Sequence, residues 1–297
     1  MYIKLLEVRT GLVSIFLTIL FFRKVHQLIC AHLNPPKVIS NCGSEEITKW
    51  HNLIVSWFHA LIILFWDLLC LIIYPELNND LIEFINPFSY FLVAFSTGYF
   101  LYDFIDMAIN RKLLTMWELT LHHLAVISMF FYNTVTLRCI GYNIVALLAE
   151  VNSFFLHSRK LLQMHRVSFD SRIYRVNAWA NIITFFLFRG YSLGRISYGM
   201  YTEPHRVSRW YFITLCCSMF VMNVMNIVFF GLLIKSDFLR KKQKIPGLQR
   251  RISDDKLNVS CGRTERLSYS SREILANGNA QNENSGSIAN NKKKILN

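Results

Sequence analysis

NLIVSWFHALIILFWDLLCLII, residues 52–73, holds 22 residues in which Asp67 is the only formally charged side chain. A helix of about 20 residues, rising about 1.5 Å per residue, crosses the hydrocarbon core of a bilayer. The stretch therefore reads as a membrane span, and comparable runs flank it near residues 10–29, 88–109, 119–137, 140–160, 173–193 and 210–234. Together they predict an all-α, polytopic transmembrane helix bundle of six to seven spans. Residues 10–22 also fit the apolar part of a cleaved signal peptide, but Arg23 and Lys24 follow where small residues are expected, so a retained span is preferred. The fourth and fifth runs are separated only by a few residues around Arg138 and Gly141, and the fifth carries Glu150, Asn152 and His157. A re-entrant or tilted hairpin is the alternative for that pair.

Basic residues orient the bundle. Lys and Arg follow the first span (Arg23, Lys24, Lys37, Lys49), the third (Arg111, Lys112), the fifth (Arg159, Lys160, Arg166) and the seventh (Lys235, Arg240, Lys241). Those segments are predicted to be cytosolic. The link after the second span has Glu76, Asp80 and Glu83 without a basic residue and is placed opposite, although Arg195, Arg206 and Arg209 of the sixth link dissent. The net charge of +13 is explained by cytosolic loops and tail, with no need for a nucleic-acid partner. Seven scattered cysteines form no C-x-x-C pair, so neither a disulfide framework nor a zinc site follows.

From about residue 245 the composition turns to Ser, Asn, Arg, Gly and Lys with few aromatics. Such a segment cannot bury a core. The division is an N-terminal transmembrane anchor and linker at 1–46, a helical domain at 47–240 and a disordered polar tail at 241–297. The sequon at Asn258 is silent on the predicted cytosolic side.

Ionisable groups within spans are costly and point to function. With the third and fourth spans joined by a short link, Asp103, Asp106, His122 and His123 are expected at one depth, with Glu118 four residues before His122. His157 is expected at that depth on the fifth span, with Glu150 about two turns deeper and Asn152 beside it. Asn177 and Asn181 add a polar pair on the sixth span, and Asn223 and Asn226 a stripe on the seventh. This set is expected to line a polar cavity open to the inner leaflet, in which a carboxylate orients a histidine. The plainer reading is interhelical hydrogen bonding that holds the bundle together. Asp67 and Arg189, isolated on other spans, are assigned structural partnerships. Adjacent histidines point about 100° apart on a helix, so no metal site is assigned and no cofactor is expected.

Several separated motifs carry a resemblance. Trp50-His51-Asn52, Tyr74-Pro75-Glu76-Leu77, Gly98-Tyr99-Phe100, His122-His123-Leu124 and Leu147-Leu148-Ala149-Glu150-Val151-Asn152-Ser153, followed by His157, Arg159 and Lys160, resemble the TLC domain (TRAM, Lag and CLN proteins) over about residues 47–240. They are most similar to its small calfacilitin-like branch. That resemblance implies a catalytically undefined, plasma-membrane protein that limits incorporation of polyunsaturated acyl chains into phospholipids and so lowers fluidity. The partners implied are membrane phospholipids or acyl chains, with a lipid acyltransferase or a channel as a protein partner. The Lag-type ceramide synthases carry a His-Asp pair and a later Asp where this chain has Ala149-Glu150 and Ser153. A non-enzymatic reading is therefore preferred. The competing readings are a membrane acyltransferase using His122, His123 and Glu150, an accessory subunit of another membrane protein, and residence in the endoplasmic reticulum membrane.

Overall fold

The computed structural model describes residues 2–237; the predicted tail and its sequon at Asn258 lie outside the described residues. Every regular element among the described residues is helical. The α-helices in order are α1 (Tyr2–His32), the single turn α2 (Lys37–Ser40), α3 (Ser44–Ile73), α4 (Pro87–Ile109), α5 (Trp117–Thr136), α6 (Ile140–Met164), α7 (Arg172–Thr184), α8 (Tyr191–Thr202) and α9 (Arg209–Asp237), with short 3-10 turns at Pro75–Asn78 and Pro204–Arg206. A π turn, Phe185–Gly190, joins α7 directly to α8, so the two form one rod.

Five helices are long and apolar enough to cross a membrane: α1, α3, α4, α6 and α9. The other predicted spans fall short for identifiable reasons. α5 spends part of its length on Glu118, His122, His123 and Asn133, while α7 and α8 are each too short alone and combine only through the π turn.

Local chemistry sets the helix ends. Asn86 caps α4 by accepting the Ser89 backbone N–H at 2.9 Å with Pro87 at the first helical position, and Ser171 caps α7 by accepting that of Tyr174 at 3.2 Å. α4 and α6 both stop at an arginine in the left-handed region, Arg111 (φ 54°) and Arg166 (φ 54°). In each, the next backbone N–H reaches back five residues, Lys112 to Met107 O and Val167 to Leu162 O, which satisfies carbonyls the helix leaves open.

The fourth and fifth runs, for which a re-entrant or tilted hairpin is the alternative to two spans, form a helical hairpin of which α6 alone is long and apolar enough to cross a membrane. α5 and α6 are two complete helices linked by residues 137–139, with Leu137 and Cys139 both left-handed and the Cys139 N–H donating to Ile82 O at 2.7 Å. Gly141 lets this corner approach the loop after α3, since a Cβ there would sit 2.5 Å from Leu81 Cα.

α4 and α6 bury more than half of their apolar windows and form the centre; α1, α3 and α9 bury less than a third and turn side chains such as Phe65, Ile72 and Ile227 outward. That outer surface suits hydrocarbon. α1 lies along α4, where Gly98 meets Thr18 and the Ile15 carbonyl, and its Phe22 is fully buried among His59, Phe95 and Tyr99. At the end opposite Arg111 and Arg166, three links are clasped together. Arg206 pairs with Asp80 at 2.8 Å and Glu203 at 2.6 Å, Arg138 pairs with Glu83, and Arg195 donates to Asn78 O at 2.7 Å.

Candidate functional site

The short α4–α5 link brings Asp103 and His123 together, with 3.4 Å between Oδ2 and Nε2, as the shared depth predicted. His123 is buried and its Nδ1 has no hydrogen-bond partner among the described residues. The rest of the predicted set separates. Asp106 accepts from Asn52 Nδ2 on α3 at 2.7 Å. His122, one residue and about 100° round the helix from His123, turns toward α9, where its Nδ1 meets Met222 Sδ at 3.1 Å. Glu118 is exposed at the start of α5 and makes no hydrogen bond to His122. His157 is half-buried on α6. Among the described residues, Asp103 and His123 are the pair of this set joined by an ion-pair contact.

Two groups outside the predicted polar set, His59 and Arg189, organise the centre, and Arg189 has the structural partners expected of it. His59, in the stretch that decided the fold, is fully buried on α3 and stacks on Tyr99 with centroids 3.6 Å apart. Its Nδ1 lies 3.8 Å from Glu150 Oε2, so His59 is the nearest basic group to that carboxylate. Its signal was available as a second ionisable residue on the face of Asp67, two helical turns away. Arg189 is the other. It rides on the π turn, only 8% exposed, and donates from Nε to Asn152 Oδ1 (2.8 Å), from Nη1 to Asn226 Oδ1 (2.8 Å) and from Nη2 to Ser153 Oγ (3.0 Å). π turns shift side chains off the regular helical face and concentrate at functional sites. No sequence pattern announces the turn, so Arg189 looked isolated.

Around this guanidinium the polar groups are linked in series. Asn152 Nδ2 donates to Asn181 O and Oδ1, both at 2.8 Å, and to Thr184 Oγ1 at 3.1 Å. Ser153 Oγ, the acceptor for Arg189, stands 3.4 Å from Glu150 Oε1. The predicted pairs on the last two spans split: Asn181 and Asn226 join the network, whereas Asn177 donates to Phe155 O at 3.1 Å and Asn223 is exposed. Asp67, assigned a structural partnership, is fully buried with neither carboxylate oxygen hydrogen-bonded among the described residues.

Arg189 and Asn226 also form one end of a cavity between α5, α6, α8 and α9, about 630 Å³ of non-atom space with its open mouth included. Its walls are Met129, Ala146, Leu193, Leu215 and Met219, and its far end carries Tyr142 and Tyr211. The pattern of apolar walls with a few polar groups is typical of small-molecule sites. His122 borders it through Met222; His123 does not line it. No group of three or more His, Cys, Asp and Glu side chains among the described residues is placed to hold a metal ion.

The profile of the TLC domain matches residues 49–235. The chain is 38% identical over 206 residues to TLC domain-containing protein 2 of Danio rerio, covering 69% of this chain and 83% of that one. It is 29% identical to TLC domain-containing protein 1 of Mus musculus, over 76% of this chain and 91% of the relative. Against TLC domain-containing protein 1 of Homo sapiens the identity is 30%, over 74% and 87% respectively. No solved structure matches the chain.

Proposed function

The chain belongs to the TLC-domain family, and from that membership we propose that it is a multi-pass membrane protein regulating the fatty-acid composition of membrane phospholipids. It limits incorporation of polyunsaturated acyl chains and so keeps the membrane, the plasma membrane in this reading, less fluid. Chains with several cis double bonds pack poorly, which is why excluding them stiffens a bilayer. The observation that carries the proposal is the cavity between α5, α6, α8 and α9. It offers apolar walls to an acyl chain and a polar end at Arg189 and Asn226. The action is non-enzymatic, exerted on phospholipids or acyl chains and through them on a lipid acyltransferase.

Mass-spectrometric profiling of phospholipids in cells with the protein removed tests this. Polyunsaturated species are expected to rise, and re-expression of the natural chain to reverse the rise. The His122→Ala/His123→Ala double variant is expected to fail that rescue. An unchanged profile on removal overturns the proposal.

The contact between Asp103 and His123 favours one second reading, a membrane acyltransferase. A carboxylate oriented on a buried imidazole is the arrangement of a general base. Turnover of acyl-CoA and a lysophospholipid by purified protein, abolished by His123→Ala, would establish it.

A further inference from the structure

Arg189 is a cation at the centre of a bundle whose direct partners are all neutral. Asn152, Asn226 and Ser153 take three of its five N–H groups, leaving one on each terminal nitrogen. The nearest carboxylate, Glu150, is reached only through Ser153 Oγ and also faces His59 Nδ1 at 3.8 Å. A buried charge without a directly bonded counter-ion is costly, more so at membrane depth. The same guanidinium lines the end of a cavity whose walls are mostly apolar.

We propose that this cavity binds a single-chain fatty acid, with its carboxylate on Arg189 and its tail directed toward Tyr142 and Tyr211. The two remaining N–H groups, one on each terminal nitrogen, equal in number the two oxygens of a carboxylate, the anion that arginine binds best when both are engaged. Along α9 the lining runs from Tyr211 to Asn226, a rise of roughly 22 Å at about 1.5 Å per residue. That length exceeds half of a hydrocarbon core about 30 Å thick, so it matches a single acyl chain lying along α9. A phospholipid fits less well, since its bulky headgroup would have to follow the phosphate into the middle of the bundle. Ala125, Val126, Ser218 and Met222 are half-exposed lining residues on α5 and α9, and give the chain a lateral way in.

The inference deepens the acyl-composition reading and rests on its lipid cavity, but its test is binding alone. Full-length protein in phosphatidylcholine nanodiscs is titrated with radiolabelled oleate, methyl oleate and oleoyl-lysophosphatidylcholine. Oleate is expected to bind on the order of 10- to 100-fold more tightly than its methyl ester, the value of a charge-assisted pair. Arg189→Gln should erase that difference. Because removing Arg189 endangers folding, Asn226→Asp provides the second variant. It is nearly isosteric and sets a carboxylate on Nη1, so it should lower oleate affinity by a similar factor while methyl oleate binding is unchanged. Equal binding of oleate and its ester overturns the proposal, as does undiminished oleate binding by folded Asn226→Asp, or preference for the lysophospholipid. Those failures leave the cellular lipid profile untouched, whereas an unchanged profile on removing the protein counts against the acyl-composition reading only.

Discussion

Arg189 Nη1 donates to Asn226 Oδ1 over 2.8 Å, so a single hydrogen bond ties the π turn between α7 and α8 to α9. α9 has few other polar ties to the bundle: Asn223 and Asn226 both donate to carbonyls of their own helix, of Met219 and Met222. The bond therefore bears on how α9 is held.

Asn226→Ala should leave a buried guanidinium with one more unbonded N–H and loosen α9. Interhelical hydrogen bonds in membrane bundles are worth about 1 kcal/mol. A lowered unfolding midpoint in detergent micelles, followed by circular dichroism, is the expected result. No change would mean that α9 is held by apolar packing and by its other polar contacts, those of Tyr211 with Asn133 and of Met222 with His122.

Two glycines should respond with opposite signs to the same change. A Cβ on Gly98 would fall 2.6 Å from Thr18 Cβ and 2.7 Å from the Ile15 carbonyl, which is backbone and cannot swing aside. Gly98→Ala should push α1 away from α4, at a cost of about 1–3 kcal/mol. Gly231, on α9, has nothing within 4 Å of its built Cβ. Gly231→Ala should stabilise by roughly 0.5–1 kcal/mol through helix propensity. Limited proteolysis and thermal unfolding of the two variants side by side would check the contrast.

The helices were legible because hydrophobicity and length suffice to mark them, and because caps such as Asn86-Pro87 and Ser171 are local chemistry. Asp103 and His123 were also legible, since a short link forces the ends of α4 and α5 together. Arg189 was not. Its placement depends on a π turn that moves it off the helical face its sequence position implies, and nothing in Phe185–Gly190 specifies that turn. His59 is legible only in part: its spacing from Asp67 marks a second ionisable group on that face of α3, but its partner Glu150 appears only when α6 packs beside it. Glu118 and His122 have helical spacing, but spacing permits a contact without requiring one, and Glu118 is exposed.

The clasp between Asp80 and Arg206 should make stability depend on acid pH. Partial burial favours the neutral carboxyl, but the Arg206 guanidinium and the backbone N–H groups of Ile82 and Glu83 outweigh it and hold Asp80 below the usual carboxylate range. Asp80 in turn raises the affinity of Arg206 for its proton, so Arg206 stays charged throughout. A carboxylate whose folded pKa is depressed adds stability that is full above its unfolded value, about 3.8, and lost as pH falls through the folded one. Unfolding midpoints of the natural chain should drop as pH is lowered below about 4, and Asp80→Asn should flatten that limb. An identical slope in both proteins would assign the acid sensitivity to other groups.

Asp67 is expected to oppose stability. It is fully buried on α3, and neither of its oxygens has a hydrogen-bond partner among the described residues. Burying an unsatisfied polar group costs about 1–3 kcal/mol, which a similarly sized apolar side chain recovers. Asp67→Val should therefore raise the unfolding midpoint despite the modest helix penalty of a β-branched residue. The variant also separates two reasons for an aspartate to be there. If Asp67 contributes to function, the stabilised protein should fail to restore the phospholipid profile of cells lacking the natural chain, a trade of stability against activity. If it contributes nothing, stability should rise with rescue intact. A lowered midpoint would contradict both, and would mean that Asp67 is bonded in the membrane to a group beyond the described residues, with water or a lipid headgroup as the partner to seek.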